Sequence, residues 1–455
     1  MLKFHLIADL HSYNLEVMGH SDHKDQVTVN ESGAVTDAVF DWMLSHDDTD
    51  LVLIAGDLST GGDRAHYDAL LPRLQRLKAG GKRVFVVTAS HDYYRFERED
   101  ENDNREDMVY RDQLYGLYED FGFSAACSRY EADPLSYAAI LVPGYRLLCL
   151  NTDGDKGDDP GLWDWAQAQI AEAKAAGELV LAMHHYPVLP PSPVYPLLDS
   201  GIFNNSKGIR ERLADAGLGF VFTGHTHMQN ISFMDTPAGN RLYEINTGSA
   251  VGYDAPIRTV AIDDEKMTIT TSSIDSFDWD LQGKSVSQYL KDSFDRMLGS
   301  IFEAMGNDIE KMLDILNGEF RIDKEGLLKR KRLLSMGGKF LYKLTLGGAG
   351  TMLFCRRKVP AEVRPVRVKD LIMEAVRNIY TGDEPYSVDT PIGAAVYALM
   401  GRIESLARPF LKKVDLPFES LRDFVMSLIY DDGLPDNDTV LPIELPPVAA
   451  ATGGS

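Results

Sequence analysis

The chain has 455 residues, 44% of them hydrophobic and 25% charged, which is an ordinary globular composition and enough length for two domains. A net charge of -23 argues against broad nucleic-acid affinity, which depends on Lys and Arg neutralising phosphates. Three cysteines, Cys127, Cys149 and Cys355, are too few and too scattered for a disulfide framework or a cysteine metal site, and no apolar run approaches the roughly 20 residues of a membrane span.

In chain order, the first apolar run is Phe4-His5-Leu6-Ile7-Ala8, which reads as a strand and ends in Asp9-Leu10-His11. It begins at Lys3, leaving no room ahead for a signal peptide, so a cytoplasmic location is the default expectation. A helix-like segment at 35–45 leads to a second run, 51–55, which ends in Gly56-Asp57. After another helix-like segment at 65–78, a third run, 84–88, ends at Ala89-Ser90-His91-Asp92. The acidic stretch from Glu97 to Asp107 follows and reads as a solvated loop or helix start; the functional alternative is a charged lid that disfavours polyanionic substrates. A helix-like segment at 162–176 precedes a fourth run, 179–183, which ends in His184-His185. Past a further helix-like segment at 209–216, a fifth run, 218–222, ends in Gly224-His225-Thr226-His227.

Apolar runs of about five residues suit strands buried on both faces. In open α/β sheets, ligands bind outside the carboxyl ends of such strands. Side chains at i and i+2 point the same way, so Asp9 with His11, and His225 with His227, converge in pairs. Mixed imidazole and carboxylate donors suit two divalent cations roughly 4 Å apart that share an anionic bridge. Asp57, directly after a glycine, is placed to be that bridge; Asp9, His11 and His227 complete one site, and His184 and His225 the other.

The series Asp9-x-His11, Gly56-Asp57, Ser90-His91-Asp92, His184 and Gly224-His225-x-His227 resembles the calcineurin-like metallophosphoesterase superfamily, over roughly residues 1–275. The resemblance implies an α/β fold, a two-sheet αββα sandwich, with hydrolysis of phosphomonoesters or phosphodiesters. It also implies a dinuclear centre of divalent or mixed-valence transition-metal ions (Mn, Fe or Zn). Carried over by position, site one takes Asp9, His11, Asp57 and His227; site two takes Asp57, His184, His225 and whatever stands at 90. His91 matches the histidine that contacts the phosphate and protonates the leaving group. The family pattern is Gly-Asn-His-Asp or Gly-Asn-His-Glu where this chain has Ala89-Ser90-His91-Asp92, and a serine hydroxyl is a poorer neutral donor than an amide carbonyl. Site two is therefore expected to bind metal more weakly, with Ser90 its least secure ligand.

Other histidines are assigned lesser roles. His185 is expected behind the ligands or in packing, and His5 as a buried histidine with a satisfied hydrogen bond. His20, His23, His46 and His66 are expected to be solvated, with His20 and His23 reserved as candidates for substrate recognition. Asp92 either orients His91 or caps the turn after it.

Paired runs at 230–234, 241–245, 259–262 and 267–271 predict antiparallel strands that close the second sheet. From Ser285 the periodicity turns helical, with segments at 308–316, 324–334, 368–380, 392–406 and 420–429. The expected organisation is a catalytic domain at 1–278, a mainly helical C-terminal domain at 279–445 and a flexible tail at 446–455. Residues 321–369 are basic in this acidic chain and bracket a glycine-rich apolar stretch in which a turn is expected rather than a helix. That segment is compatible with a solvated basic face, a peripheral membrane patch or a phosphate-recognition surface. The function expected is phosphodiester hydrolysis on a small phosphorylated substrate such as a cyclic nucleotide or glycerophosphodiester, with no nucleic-acid partner. The competing readings are a membrane-associated lipid-headgroup phosphoesterase and a degenerate, non-catalytic metal-binding module.

Overall fold

The computed structural model describes residues 1–22, 26–94, 106–152, 159–195, 206–308, 310–311, 313, 329, 331, 335, 342–411 and 420–443. Strand β1 (Leu2–Ile7) is buried along nearly its whole length, and two mixed sheets form from runs of this kind. The first has the order β13-β12-β11-β1-β2-β3, where β2 is Leu51–Ala55, β3 is Arg83–Val87, β11 is Ile257–Ile262, β12 is Lys266–Ser272 and β13 is Thr439–Pro442. The second has the order β4-β5-β6-β7-β8-β10-β9. Its strands are β4 (Ala126–Arg129), β5 (Tyr137–Val142), β6 (Tyr145–Leu150), β7 (Leu179–His184), β8 (Phe220–Thr223), β9 (Asn230–Asp235) and β10 (Arg241–Asn246). Each sheet has a run of parallel strands, β1 with β2 and β3 in one and β6 with β7, β8 and β10 in the other. Their carboxyl ends therefore open on the same edge of each sheet.

The sheets face one another. Phe4 on β1 meets Phe222 on β8 edge to face at 5.3 Å, and the Tyr137 hydroxyl donates to the Val86 carbonyl at 2.9 Å. Each sheet has helices on its outer face: α2 (Ser32–Ser45) and α3 (Arg64–Ala79) on the first, α5 (Pro160–Ala175) and α6 (Ser206–Ala216) on the second. Two four-residue helices, α1 (Leu15–Met18) and α4 (Leu114–Leu117), lie in the connections. Helix α5 begins well for local reasons: Asp159 accepts from Gly161 and Leu162 N–H, and Pro160 stands where no helical N–H is needed. Its Leu162, Trp163, Ala166 and Ile170 pack with Val180 and Ala182 of β7, so those β7 residues point out toward the helices.

The two predicted hairpins form but go to different sheets. β9 pairs with β10 in the second sheet, whereas β11 and β12 join the first beside β1, so the expectation that both close the second sheet is corrected. Local pattern forms a hairpin; which sheet it joins depends on a partner more than 240 residues away, as Leu2 opposite Ile262 shows. The chain divides into two compact units, one of residues 1–191, 202–291 and 436–455, the other of residues 192–201 and 292–435. Strand β13 thus belongs to the first unit, although the sequence reading ran the helical domain through 445.

The described parts of the second unit are helical: α7 (Val286–Asn307, which starts in the first unit), α8 (Leu346–Met352), α9 (Val368–Thr381), α10 (Pro391–Leu411) and α11 (Leu421–Ser427). The glycine-rich stretch is itself the short helix α8, not a turn. It is capped by Thr345 and packed so closely that a Cβ on Gly347 would lie 3.0 Å from the Arg364 carbonyl oxygen. Among the described residues no helix is long and apolar enough to cross a membrane. Most of the predicted helix at 324–334, the acidic residues 97–105, part of the basic segment 321–369 and the tail 446–455 lie outside the described residues.

One buried carboxyl carries a test of the second sheet. Glu244 on β10 is 1% exposed and accepts from Val188 N–H, Leu189 N–H and the Thr223 hydroxyl. Burial pushes its pKa from 4.5 up to about 7, against the pull of those donors. A carboxyl raised on folding contributes stability that is complete below about 4.5 and lost as pH rises through 7. The loss is on the order of 3 kcal/mol at 1.36 kcal/mol per unit. In Glu244→Gln, the fall in unfolding free energy between pH 4 and 8, read from urea titrations, is expected to shrink by about that amount; equal pH slopes in the two proteins would refute the assignment.

Candidate metal centre

Past the ends of the strands, the backbones of neighbouring loops continue to zip together. Asp9 N–H donates to Gly56 O, His11 N–H to Asp57 O and Ser12 N–H to Leu58 O, so the turns after β1 and β2 are held in register. In the second sheet, Gly224 N–H donates to His185 O in the same way. The side chains that follow β1, β2, β7 and β8 are thereby carried to one place.

Two groups of three result, each with its donor atoms within 4.8 Å of one another: Asp9, His11 and His227, and Asp57, His185 and His225. In the first, His11 Nε2 lies 3.0 Å from His227 Nε2, and His227 Nε2 lies 3.4 Å from Asp9 Oδ1. In the second, His185 Nε2 lies 3.0 Å from Asp57 Oδ2. The groups adjoin, since His185 Nε2 is also 3.9 Å from Asp9 Oδ1 and the Asp9 carboxylate accepts the His225 N–H at 3.0 Å.

The backbone is strained where these residues stand. Asp9, His11, Asp57, His225 and His227 all have positive φ, between 38° and 71°. Each such conformation costs a non-glycine residue on the order of 1–3 kcal/mol. Concentration of that cost on five of the six clustered residues is the mark of a functional site. Close approach also explains two glycines: a Cβ on Gly56 would lie 2.5 Å from His185 Nδ1, and one on Gly224 would lie 2.5 Å from Asp9 Oδ2.

The electrostatics fit cations. Asp9 and Asp57 are fully buried, and an unpaired carboxylate there is costly. Burial alone would raise the Asp57 carboxyl, but His185, His91 and His11 hold it well below its usual range. Burial opposes charge on His185, yet Asp57 and Asp9 outweigh it and push its pKa up to about 9. Burial holds His11 well below its usual pKa and His225 at about 3, so both offer neutral nitrogen lone pairs. His185 Nδ1–H donates to Ala55 O at 2.8 Å, which orients the ring so that Nε2 faces Asp57. Two buried carboxylates and four imidazoles whose ring nitrogens converge, with the His185 proton displaceable by a cation, make a donor set that fits two divalent ions.

The sequence reading placed His184 in the second group, and the structure corrects this. His184 Nδ1–H donates to Tyr186 O at 2.5 Å and Nε2 accepts from the Thr152 hydroxyl at 2.8 Å, so both ring nitrogens are engaged away from the cluster. The reason is strand alternation. Met183 sits opposite Phe222, whose ring faces the sheet interface, while Val180 and Ala182 face the helices. His184 therefore turns outward with Ala182, and His185 turns inward with Met183. His184→Ala is expected to retain bound metal, whereas His185→Ala should lose one ion per chain in elemental analysis; the reverse pattern would restore the first assignment.

The remaining candidates separate clearly. His91 is exposed at the mouth, its ring 4.9 Å from that of His11 and its backbone N–H donating to Asp57 Oδ1 at 3.0 Å. Ser90 is 9% exposed in the same 3₁₀ turn (Ser90–Asp92). Asp92 caps rather than orienting His91: its carboxylate accepts from Leu58, Ser59 and Ala89 N–H, tying the turn after β3 to the turn after β2. Burial, and then the Asp57 charge, raise its pKa to about 7. His66 is not solvated as expected: it is 2% exposed and its Nδ1 accepts from Asn14 N–H. His20 stays exposed and lies 3.8 Å from Asp22, and His23 lies outside the described residues. His5 is buried, with Nδ1 3.2 Å from the Thr259 hydroxyl. Tyr186, unremarked in the sequence, packs edge-on against His225 at 4.6 Å and His185 at 4.9 Å. An aromatic residue one place after His185 was its only signal.

A family model described as calcineurin-like phosphoesterase matches residues 2–229. No curated protein is matched. Among solved structures, a dimetal phosphatase from Danio rerio is similar at 16% identity and a TM-score of 0.43, covering 60% of this chain and 96% of that one. A purple acid phosphatase from yellow lupin seeds is similar at 11% identity and a TM-score of 0.41, covering 60% of this chain and 51% of that one. A 5'-nucleotidase precursor from Thermus thermophilus is similar at 14% identity and a TM-score of 0.35, covering 67% of this chain and 59% of that one.

Proposed function

The chain belongs to the calcineurin-like phosphoesterase family, and from that premise we propose that it is a dinuclear metal-dependent phosphoesterase acting on a small phosphodiester such as a cyclic nucleotide or glycerophosphodiester. The observation that carries the reading is the adjoining pair of buried Asp–His groups on left-handed backbone. Asp9, His11 and His227 would hold one ion, and Asp57, His185 and His225 the other. Bound there, the ions supply Lewis acidity toward the phosphate oxygens and activate a water at neutral pH.

The chain's own groups do the rest. The carboxylates of Asp9 and Asp57 set the charge of the site, and the Ala55 carbonyl holds the His185 ring by its Nδ1–H with Nε2 aimed at Asp57, where a cation would take the place of the proton. Asp92 holds the turn that presents His91 at the mouth. In hydrolysis a water oxygen bonds to phosphorus as the ester P–O bond breaks, and the departing oxygen takes the electron pair and needs a proton. His91, the exposed imidazole beside the cluster, gives it that proton.

A diester is favoured because it carries one phosphate charge where a monoester carries two, and a chain of net charge -23 opposes additional negative charge. If Ser90 stands where a stronger neutral donor is usual, the second ion would be the more weakly held. The test is a panel after loading with Mn, Fe or Zn: aryl phosphodiester, cyclic nucleotide and glycerophosphodiester against aryl phosphomonoester. Higher kcat/KM on diesters supports the reading. Preference for monoesters overturns the substrate class, and inactivity with two bound ions per chain overturns catalysis.

A further inference from the structure

In the second unit, a short segment after α8 exposes what a fold normally buries. The unit's own core includes Leu346, Cys355, Val359, Val363, Leu371 and Leu399. Cys355 and Val359 anchor the segment from within, yet Met352 is 55% exposed and Phe354 is 89% exposed. Arg356, Arg357 and Lys358 follow as an exposed 3₁₀ turn.

Phe354 is not loosely attached. Its φ is 55°, in the left-handed region that bulky side chains avoid. The turn is pinned by Phe354 N–H to Thr351 O, by Cys355 N–H to Gly350 O, and by the Arg402 guanidinium to Leu353 O at 3.0 Å. The fold thus accepts backbone strain at a residue whose ring contributes little to the core. Strain kept at such a place is a mark of recognition rather than packing.

Charge identifies the occupant. Between Thr351 and Lys369 the chain carries Arg356, Arg357, Lys358, Arg364, Arg367 and Lys369 against Glu362 alone, in a protein of net charge -23. An acidic protein surface accounts for the cations but gives the exposed Phe and Met nothing to enter. A bilayer with anionic headgroups accounts for both, since basic side chains seek the phosphates and aromatic or thioether groups the interface beneath. We propose that the tip formed by residues 351–358 docks on an anionic lipid surface, with Phe354 and Met352 entering the interface and Arg356, Arg357 and Lys358 on the headgroups. The proposal does not depend on the reaction assigned to the metal centre.

The experiment is sedimentation of the full chain with vesicles of phosphatidylcholine alone or with phosphatidylserine added. Binding is expected only with phosphatidylserine and is expected to reverse at high salt. Reversing the three tip charges (Arg356→Glu, Arg357→Glu, Lys358→Glu) should lower the partition coefficient by at least about 100-fold. Phe354→Gly removes the ring and relieves the positive φ, so its thermal midpoint should not fall while binding drops about tenfold. A Phe354→Trp chain gives a direct readout, with tryptophan emission shifting to the blue on anionic vesicles. No sedimentation with phosphatidylserine overturns the proposal. So does binding that ignores Phe354→Gly, leaves the tryptophan emission unmoved and is competed away by polyglutamate, which would mark the tip as a site for an acidic protein.

Discussion

Asp57→Asn is expected to abolish measurable turnover and to deplete both ions. The Asp57 carboxylate lies against His185 at 3.0 Å and takes the His91 N–H at its other oxygen, so one side chain serves both sides of the cluster. An asparagine of the same shape keeps that hydrogen bond but withdraws a negative charge from a site where solvent does not screen it. Lewis-acid stabilisation is worth several kcal/mol, so losing the ions should cost more than about 10³-fold in kcat. Metal content after gel filtration should drop from two per chain toward zero. Wild-type turnover with two retained ions in this variant would falsify the proposed centre.

His91→Ala should behave differently, and the contrast is the informative part. If the exposed imidazole serves the leaving oxygen rather than a metal, kcat should fall by about 10²–10⁴, the range of a positioned acid or base. Metal content should stay as in wild type, because the hydrogen bond from His91 to Asp57 is made by its backbone N–H, which alanine retains. The deficit should also shrink on substrates whose leaving group is a good one, such as a nitrophenolate, since that oxygen needs no proton. Loss of one ion in His91→Ala would make it a ligand.

Much of the site was legible because each contribution is local. Asp9 and His11, or His225 and His227, stand two apart just past the end of an apolar run, and that spacing is visible without knowledge of the fold, although left-handed backbone rather than strand alternation sets their directions. His184 and His185 were not separable in this way. β7 lies between the sheet interface on one side and α5 and α6 on the other, so Val180, Leu181, Ala182 and Met183 are apolar on both faces. A strand buried on both sides has no amphipathic alternation to say which histidine faces inward. The sheet joined by β11 and β12 was hidden for another reason: pairing with β1 is a contact between distant parts of the chain. His66 was misread because its burial depends on Tyr13 and Asn14, brought over it by the loop after β1.

Strand β13 has a consequence for synthesis on the ribosome. β12 waits for its neighbour until residue 439 has emerged, because Ile269 pairs with Thr439 and Lys266 with Pro442. At ordinary rates of elongation, translating the stretch from 272 to 439 takes on the order of ten to thirty seconds. For that interval the first sheet has an unpaired edge, the kind of template on which nascent chains join one another. The composition of β12 suits the delay. Lys266, Thr268, Thr270, Thr271 and Ser272 leave Met267 and Ile269 as its only large apolar side chains, and both are buried. The helical unit is thus translated as an insertion between the penultimate and last strands of a sheet, and a chain stopped at residue 278 would leave that edge open permanently.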